Sequence, residues 1–338
     1  MSDDRPTGWG GNPVQPPDLQ EVTEAAGRIE SLVVRTPLMP LQSYEASADI
    51  YLKPEVLQPV GSFKIRGVGN WALSLSDEER QRGIATTSAG NTAMALGYVG
   101  RLLGVPARSH VPDSLHESKR EALAAYGVDL VQVSMTELMR FMFEEAWRAD
   151  PHSYLNPWGE PLMAAGHGTI GVEIFEELPD LDSVFVPVGG GALLGGVASV
   201  LKILKPSIRV FAVQARVNSA LAAAFEAGGP RWIDWQDTIV EGASTPVITD
   251  EMYPMLRRLV DELVLVGEEE VMAAMSLLAW GNKLVTEGAG AAAVAAALAT
   301  PVEARGLSVC VVSGGSVDRA LFARVVGEIG ASPIGSLA

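Results

Sequence analysis

The chain of 338 residues has 41 acidic and 25 basic side chains, a formal charge of −16, and 48% hydrophobic residues. This composition excludes disorder and predicts a globular chain with a large core, built as two domains or one long α/β domain. The acidic surplus argues against a nucleic-acid partner, because phosphates are bound by basic surfaces. The single cysteine, Cys310, excludes an internal disulfide and is compatible with a reducing cytoplasm.

The N-terminal segment MSDDRPTGWGGNPVQPPDL is acidic and rich in proline and glycine, so we expect a flexible lead-in rather than a secretion signal. The longest apolar segment, residues 288–300, is shorter than the about 20 apolar residues that span a bilayer, and it predicts a buried helix. We therefore expect a cytoplasmic protein without a membrane partner.

Short β-rich runs alternate with helical stretches along the chain. The predicted strand and helix pairs are, in chain order, DIYLKPE with GNWALSL, GIATTS with NTAMALGYVGRLLG, ARSHVP with SKREALAAYG, DLVQVS with TELMRFMFEEAWRA, SVFVPV with ALLGGVASVLKILK, RVFAVQ with SALAAAFEAG, LVLVG with EEEVMAAMSLLAWG, and SVCVVSGG with RALFARVVGEIG. Strands that are each followed by a helix form parallel sheets covered by helices. The predicted fold class is therefore α/β.

Ligands of open α/β sheets bind beyond the carboxyl ends of the strands, which makes four loops candidate sites. The first is GSFKIRG, in which Lys64 lies between glycines and apolar residues. Burial would lower the pKa of this lysine and make it an amine nucleophile or base. The alternative is a surface lysine at a helix start, the commoner situation for an arbitrary lysine.

The other three loops each connect a predicted strand to a helix. Residues 88–92, SAGNT, are suited to a carboxylate or equally to an ordinary helix cap. Residues 187–193, PVGGGAL, offer converging amides for a phosphate, or tight packing alone. Ser313 ends the last predicted strand and offers a hydroxyl, with helix capping as the alternative. The four histidines show no zinc spacing, and no GxSxG motif is present.

A buried lysine, a carboxylate-binding turn, a phosphate cradle and a serine at a strand end together describe a site for pyridoxal 5'-phosphate and an amino acid. From Thr36 to Phe322 the chain resembles the fold-type II pyridoxal-phosphate enzymes, in the serine/threonine dehydratase and serine racemase branch. Its markers follow the family order: YLKPEVLQPVGSFKIRGVGN, TTSAGNTAMALG, HVPDSLHESKREALAAYG, AAGHGTIGVEI, VFVPVGGGALLGG, TEGAGAAAVAAAL and VVSGGSVD.

The resemblance implies that Lys64 holds the cofactor as a Schiff base, that Asn91 bonds its phenolic oxygen, and that Ser313 bonds its pyridine nitrogen. Lys64 and Ser313 are the implied catalytic residues. The implied cofactor-binding residues are Lys64, Phe63, Asn91, Gly189, Gly190, Gly191, Ala192, Leu193, Glu287, Ser313 and Gly314. The implied binding residues for the substrate carboxylate are Ser88, Ala89, Gly90, Asn91 and Thr92.

The family's plan implies two open, mostly parallel sheets flanked by helices, as in the tryptophan synthase β subunit. It implies a discontinuous large cofactor domain, residues 1–75 and 153–338, and a small mobile domain, residues 76–152. A homodimer or homotetramer without a C-terminal regulatory domain is expected.

The implied reaction is α,β-elimination from a β-hydroxy L-amino acid, threonine, serine or an analogue, to a 2-oxo acid and ammonia. Departures from the family pattern narrow this expectation. Racemases of the branch have a second serine where this chain has Ala89, so racemisation should be poor. Metal-bearing relatives have a carboxylate where this chain has Gln214, so we expect no metal at that site.

Two further departures leave alternatives open. Thr92 replaces the usual histidine, as in cysteine and threonine synthases, which keeps a β-replacement or threonine synthase-like enzyme as an alternative; an inactive cofactor-binding protein is a third. His167 replaces the usual glutamine. The apolar segment 135–143 hints at a bulky or less polar β-substituent, although an ordinary helix with a core face explains it better.

Overall fold

The structure is a computed structural model that describes residues 5–42 and 49–328. In these ranges the strands are β1 (Met39–Pro40), β2 (Ile50–Pro54), β3 (Ile84–Thr87), β4 (Ala107–Pro112), β5 (Val128–Val133), β6 (Ser153–Leu155), β7 (Ser183–Pro187), β8 (Arg209–Ala215), β9 (Glu262–Val266) and β10 (Ser308–Val312). They form a six-stranded sheet in the order β1-β2-β10-β7-β8-β9 and a four-stranded sheet in the order β5-β4-β3-β6. All pairings are parallel except that of β1 with β2, which confirms the predicted α/β class.

Helices flank both sheets. They are α1 (Leu19–Ile29), α2 (Lys64–Ser74), α3 (Asp77–Gln81), α4 (Asn91–Leu103), α5 (Glu117–Ala125), α6 (Met135–Phe143), α7 (Pro161–Glu177), α8 (Ala192–Leu204), α9 (Ala220–Ala227), α10 (Tyr253–Leu259), α11 (Glu268–Leu277), α12 (Gly288–Ala299), α13 (Val302–Arg305) and α14 (Arg319–Glu328). The apolar segment predicted as a buried helix is α12. Among the described helices, none is long and apolar enough to cross a membrane.

Capping explains where several helices begin. Asp18, Ser76 and Ser134 precede α1, α3 and α6, and each side chain accepts a hydrogen bond from the backbone of a glutamate three residues later. That glutamate side chain in turn accepts from the capping residue's backbone amide, so two amides without a helical partner are satisfied at each helix start.

The six-stranded sheet has an apolar core on each face because side chains of its buried central strands alternate in direction. On β7, Val184 and Val186 belong to one cluster of buried residues, whereas Phe185 belongs to the other. Phe185 also stacks on Phe211 of the neighbouring strand with 4.3 Å between ring centroids. Cys310 of β10 lies in the second cluster as a buried free thiol. The central positions of these strands are therefore mainly apolar, as expected for parallel strands covered on both faces.

The short strand β6 was missed by the sequence analysis, because it has three residues inside the polar stretch 150–161. It pairs in parallel with β3 and completes the four-stranded sheet. This sheet therefore extends to Leu155, past the boundary predicted at residue 152 for the small domain. The division into a large domain and a small mobile domain stays a prediction.

The expectation of a flexible N-terminal lead-in is wrong for the residues that the structure describes; Met1 to Asp4 lie outside them. The amides of Trp9 and Gly11 both donate to Glu251 Oε1, at 3.0 and 3.1 Å. Trp232 Nε1 donates to the Pro6 carbonyl at 3.1 Å. The segment is thus bonded to the long loop that precedes α10, because proline and glycine leave its amides and carbonyls available to partners outside a helix or strand.

Candidate active site

The loop before α2 is joined to the turn after β10. Phe63 N donates to the Ser313 carbonyl at 3.0 Å, and Gly315 N donates to the Gly61 carbonyl at 2.9 Å. Gly61 adopts a φ of +69°, a left-handed conformation that glycine tolerates without strain. Lys64, the first residue of α2, and Ser313 therefore line the same cavity, as the sequence predicted for two loops far apart in the chain.

Lys64 is half-buried where it lines the cavity. Its Nζ lies 5.0 Å from the centroid of the Phe63 ring, and in the described part of the chain it has no hydrogen-bond or ion-pair partner. Burial lowers the pKa of Lys64 to about 8, while the Glu287 carboxylate partly opposes the shift. The amine therefore exists in its uncharged, nucleophilic form far more often than a surface lysine does.

The glycine loop after β7 also lines this cavity. Gly191 has a φ of +105° immediately before α8 begins at Ala192. A Cβ atom on Gly191 would lie 2.7 Å from Leu256, and one on Gly189 would lie 3.3 Å from the backbone of Ala243. A side chain would thus be strained at Gly191 by its positive φ and tightly packed at Gly189. The loop presents backbone amides at a helix N-terminus, the arrangement that binds a phosphate.

The predicted carboxylate turn lies between β3 and α4. Ser88 Oγ accepts from Gly90 N at 3.2 Å, and Ser109 Oγ donates to the Ser88 carbonyl at 2.7 Å. The helix begins at Asn91, so the amides of Asn91 and Thr92 lack helical acceptors. The structure therefore holds residues 88–92 in a turn with amides available to an anion.

Asn91 and Glu287 form a pair next to Gly314. Asn91 Nδ2 donates to Glu287 Oε1 at 2.8 Å, while Asn91 Oδ1 is buried without a described partner. Burial raises the pKa of Glu287 to about 7, and the bond from Asn91 opposes the shift. A Cβ on Gly314 would lie 2.4 Å from Glu287 Oε1, so only glycine fits there. The predicted bond from Asn91 to a cofactor oxygen stays a prediction.

Ser313 is buried at the end of β10, and its hydroxyl donates to the Ala289 carbonyl at 3.3 Å. Gln214, the residue at the family's metal position, is also buried. It accepts from Leu221 N at 2.8 Å and donates to the Val188 carbonyl at 3.1 Å. Gln214 thus joins α9 to the strand that leads into the phosphate loop, which is a structural use of this position.

A buried ionic network next to Lys64 was missed by the sequence analysis. Arg66 forms ion pairs with Glu55 at 2.7 Å and Glu173 at 2.6 Å, and Lys53 lies 2.6 Å from Glu173. The only available signal was Lys53 within a strand of apolar residues. The lining residues Pro157, Gly242 and Ala243 were missed as well, because they come from long loops without a motif.

His167, one residue that departs from the family pattern, is fully buried in α7. Its ring lies 4.7 Å from that of Phe63 in an edge-to-face arrangement, and neither ring nitrogen has a described partner. Burial, together with the charges of Lys64 and Arg66, holds its pKa well below the usual range. His167 is therefore neutral and supports the ring of Phe63.

The family model described as "Pyridoxal-phosphate dependent enzyme" matches residues 29–314. The chain therefore belongs to this family, and its cofactor is pyridoxal phosphate. The residues of the cavity fit that group, because an amine of lowered pKa shares the cavity with a glycine loop at a helix start. Asn91 Oδ1, a buried amide oxygen without a partner among the described residues, belongs to the pair with Glu287 next to Gly314.

Relatives narrow the class to pyridoxal-phosphate-dependent lyases. The catabolic L-threonine dehydratase of Staphylococcus aureus strain N315 is 35% identical over 319 residues, which cover 92% of this chain and 91% of the relative. The L-threonine ammonia-lyase of Thermotoga maritima is 34% identical and is covered to 78%, against 92% of this chain. The solved structure of maize serine racemase matches with a TM-score of 0.84 at 29% identity, over 93% of this chain and 98% of that one. These findings confirm the resemblance seen in the motifs.

Proposed function

We propose that the protein is an ammonia-lyase that converts a β-hydroxy L-amino acid, threonine, serine or a β-substituted analogue, to a 2-oxo acid and ammonia. The observation that carries the proposal is the Lys64 amine, without a partner among the described residues, in the cavity that the glycine loop and Ser313 also line. The 35% identity to the L-threonine dehydratase of S. aureus supports it.

Lys64 is the proposed base. Pyridoxal phosphate supplies the electron sink that stabilises negative charge at the substrate Cα. With substrate bound, the Lys64 amine would take the Cα proton. With a pKa of about 8, about a tenth of the free amine is uncharged at pH 7, against well under a hundredth for an ordinary lysine.

Residues 88–92 are the proposed site of the substrate carboxylate, and Gly189 to Leu193 are the proposed site of the cofactor phosphate. Both anions are held mainly by backbone amides at helix starts, which suits a chain of net charge −16 with few lysines. Phe63 packs against the cofactor ring in this proposal, supported from behind by His167.

Asn91 can donate to the cofactor's phenolic oxygen if its amide turns by half a rotation. Its Nδ2 then faces the cavity, and Glu287 in the protonated form donates to Oδ1. The pKa of about 7 at Glu287 makes this protonated form available near neutral pH. Glu287 thus holds a proton for Asn91 in the proposal and takes no part in bond breaking.

Ser313 is the proposed partner of the pyridine nitrogen, to which its hydroxyl would donate after turning away from the Ala289 carbonyl. A hydroxyl is a neutral donor, so it does not enforce a positive charge on the ring as a carboxylate does. Negative charge at Cα is therefore stabilised less, which favours prompt loss of the β-hydroxyl. This role supports elimination over reactions that need a long-lived carbanion.

A β-replacement synthase, or a threonine synthase-like enzyme, is the second candidate, and Thr92 at the start of α4 is the residue that favours it. Such an enzyme would form an amino-acid product when a nucleophile is added. A racemase is less favoured despite the similarity to maize serine racemase, because Ala89 has no group that can protonate the opposite face of Cα.

A screen of purified, cofactor-loaded protein tests the proposal. L-serine, L-threonine, 3-hydroxyaspartate and phenylserine are each assayed for ammonia and 2-oxo acid, with and without sulfide as added nucleophile. We expect equal amounts of ammonia and 2-oxo acid from at least one substrate. Release from none of them would overturn the lyase proposal, and an amino-acid product that requires sulfide would favour the synthase.

The assembly and its motions are part of the proposal. We expect a homodimer or homotetramer in the cytoplasm, and a small domain near residues 76–152 that closes over the substrate. Light scattering on the purified protein measures the subunit count, and a mass of one chain would contradict it.

A further inference from the structure

The segment after β6 spans the distance between the proposed carboxylate turn and the phosphate loop. Leu155 pairs with Thr86 of β3, two residues before Ser88. Pro157 lines the Lys64 cavity, and a Cβ placed on Gly190 would lie 3.3 Å from Cδ1 of Trp158. Ligand atoms that lie between the carboxylate and the phosphate therefore have this segment beside them.

An apolar cluster, here called the aromatic wall, adjoins this segment. The ring of Phe143, at the end of α6, lies 5.8 Å from that of Trp158 and 5.3 Å from that of Trp232. The wall consists of Met139, Met142, Phe143, Trp158, Trp232 and Val247. Its members come from α6, from the loop after β6 and from the long loop before α10, so three separate parts of the chain converge here.

The long loop connects the wall to the cavity. Gly242 and Ala243 line the cavity, and four residues after Ala243 the chain reaches Val247 of the wall. Arg5 is the one cation that contacts a wall ring among the described residues, 4.2 Å from the centroid of Trp232. The wall thus consists of hydrocarbon and aromatic side chains with no charged member, and Met139 and Trp158 are its partly exposed members.

We infer that the aromatic wall recognises an apolar substituent on the substrate Cβ. This inference rests on the proposed function and names its substrate class: β-hydroxy amino acids with an aryl or branched alkyl group, such as phenylserine. In this arrangement the substrate carboxylate lies at residues 88–92, and the leaving hydroxyl points toward the glycine loop. The side-chain group on Cβ, a methyl in threonine or a ring in phenylserine, then lies beside Pro157 and Trp158.

Transfer free energies favour an aromatic substituent over a charged one beside the aromatic wall. Moving an aromatic ring from water to an apolar surface is favourable, and ring pairs at these distances add to it. A second carboxylate, as in 3-hydroxyaspartate, would lose hydration without gaining a partner in the wall. Serine has only hydrogen in place of that substituent on Cβ, so it gains no binding energy from the wall.

The first test compares kcat/KM of the cofactor-loaded protein for L-threo-phenylserine, L-threonine and L-serine. We expect phenylserine to exceed threonine by about tenfold or more, the gain for burying most of a ring. Threonine or serine turned over better than phenylserine would overturn the inference and leave the proposed lyase intact. Ammonia from none of the three overturns the proposed function itself.

A pair of variants on one helix provides the matched control. Phe143→Ala removes a ring of the wall, whereas Phe141→Ala removes a ring that stacks on His110 at 4.1 Å, outside the wall. We expect Phe143→Ala to lower the phenylserine-to-threonine ratio of kcat/KM about tenfold, mainly through KM, and Phe141→Ala to leave that ratio within about twofold. Equal ratios in both variants would contradict the inference.

Binding of an unreactive analogue needs no variant. L-phenylalanine carries the ring without a leaving hydroxyl, and L-alanine lacks both. Their dissociation constants are measured from the change in cofactor absorbance of the wild-type protein. We expect L-phenylalanine to bind about tenfold more tightly than L-alanine, and weaker binding of L-phenylalanine would contradict the inference.

Discussion

Lys53 is fully buried and Lys64 is half-buried at the cavity, and the surroundings of their amines differ. Lys53 donates to the Thr36 carbonyl and lies 2.6 Å from Glu173, in a network that also contains Arg66 and Glu55. Lys64 faces a cavity next to Phe63 and has no such partner among the described residues. Burial lowers the pKa of both lysines. What distinguishes a reactive amine is therefore the absence of a partner and the presence of space, rather than burial alone.

The difference has a physical basis in the two regions. A buried charge is tolerated when it is paired, and removing one partner leaves the other uncompensated. In the ionic network every charge is paired, so its residues stabilise the packing of α2 on α7. In the cavity the Lys64 amine has no described partner. The protein tolerates it there because the amine can lose its proton or bind the cofactor.

Lys64→Ala is expected to have the largest effect, a loss of elimination activity of about 1,000-fold or more, because the proposed base is removed. Ammonia release and the cofactor absorbance band are measured together, and both should be lost. Lys205→Ala, at an amine that donates to the Leu181 carbonyl at 2.7 Å, is the control and should keep both. Retention of activity in Lys64→Ala would contradict the assigned role.

Lys53→Met is expected to reduce stability while activity is retained. It should lower the free energy of unfolding by about 1–3 kcal/mol, because Glu173 loses one buried partner while Arg66 remains. Activity per folded molecule and the absorbance band should be retained. Denaturant unfolding of the variant and the wild type measures the change, and loss of the absorbance band in a folded Lys53→Met protein would break the distinction between the two lysines.

The sequence predicted the fold class, because apolar strands, glycine runs and helix starts are local patterns. Of the predicted loops, those with Lys64, residues 189–193 and Ser313 line one cavity. The sequence did not distinguish Lys53 from a surface lysine, since its partners Glu173 and Thr36 are distant in the chain. The three-residue strand β6 was hidden in a polar stretch, and the order of the N-terminal segment depends on Glu251 and Trp232. The burial of Lys53, the strand β6 and the position of the N-terminal segment each depend on contacts between residues that are distant in the sequence.

The pH dependence of stability should carry the signature of Lys64. Its pKa is about 8 in the folded protein and 10.5 as the ordinary value, so between these values the unfolded chain binds more protons. The free energy of unfolding of the cofactor-free protein should therefore rise with pH across this window, by about 1–3 kcal/mol relative to Lys64→Met. Denaturant unfolding at pH 7.5 and pH 10 measures the difference, and parallel profiles would contradict a lowered pKa.

Ala89→Ser should have the smallest effect and tests whether Lys64 acts as the only base. In the wild type we expect slow racemisation of L-serine, because Ala89, at the proposed carboxylate turn, has no side-chain proton donor. The serine hydroxyl should raise the rate of D-serine formation several-fold. This gain is smaller than the about 100-fold that a well-positioned acid or base typically gives. Chiral chromatography measures it, with Ala89→Val as control; rapid racemisation by the wild type would contradict the account.

Borohydride reduction tests most directly which of the two buried lysines is the catalytic amine. The reagent fixes pyridoxal phosphate covalently to the lysine that carries it, and peptide mass spectrometry of the reduced protein locates the modification. The account predicts that the modified peptide contains Lys64 and that the peptide with Lys53 is unmodified. Modification at Lys53, or at neither lysine in cofactor-loaded protein, would contradict it.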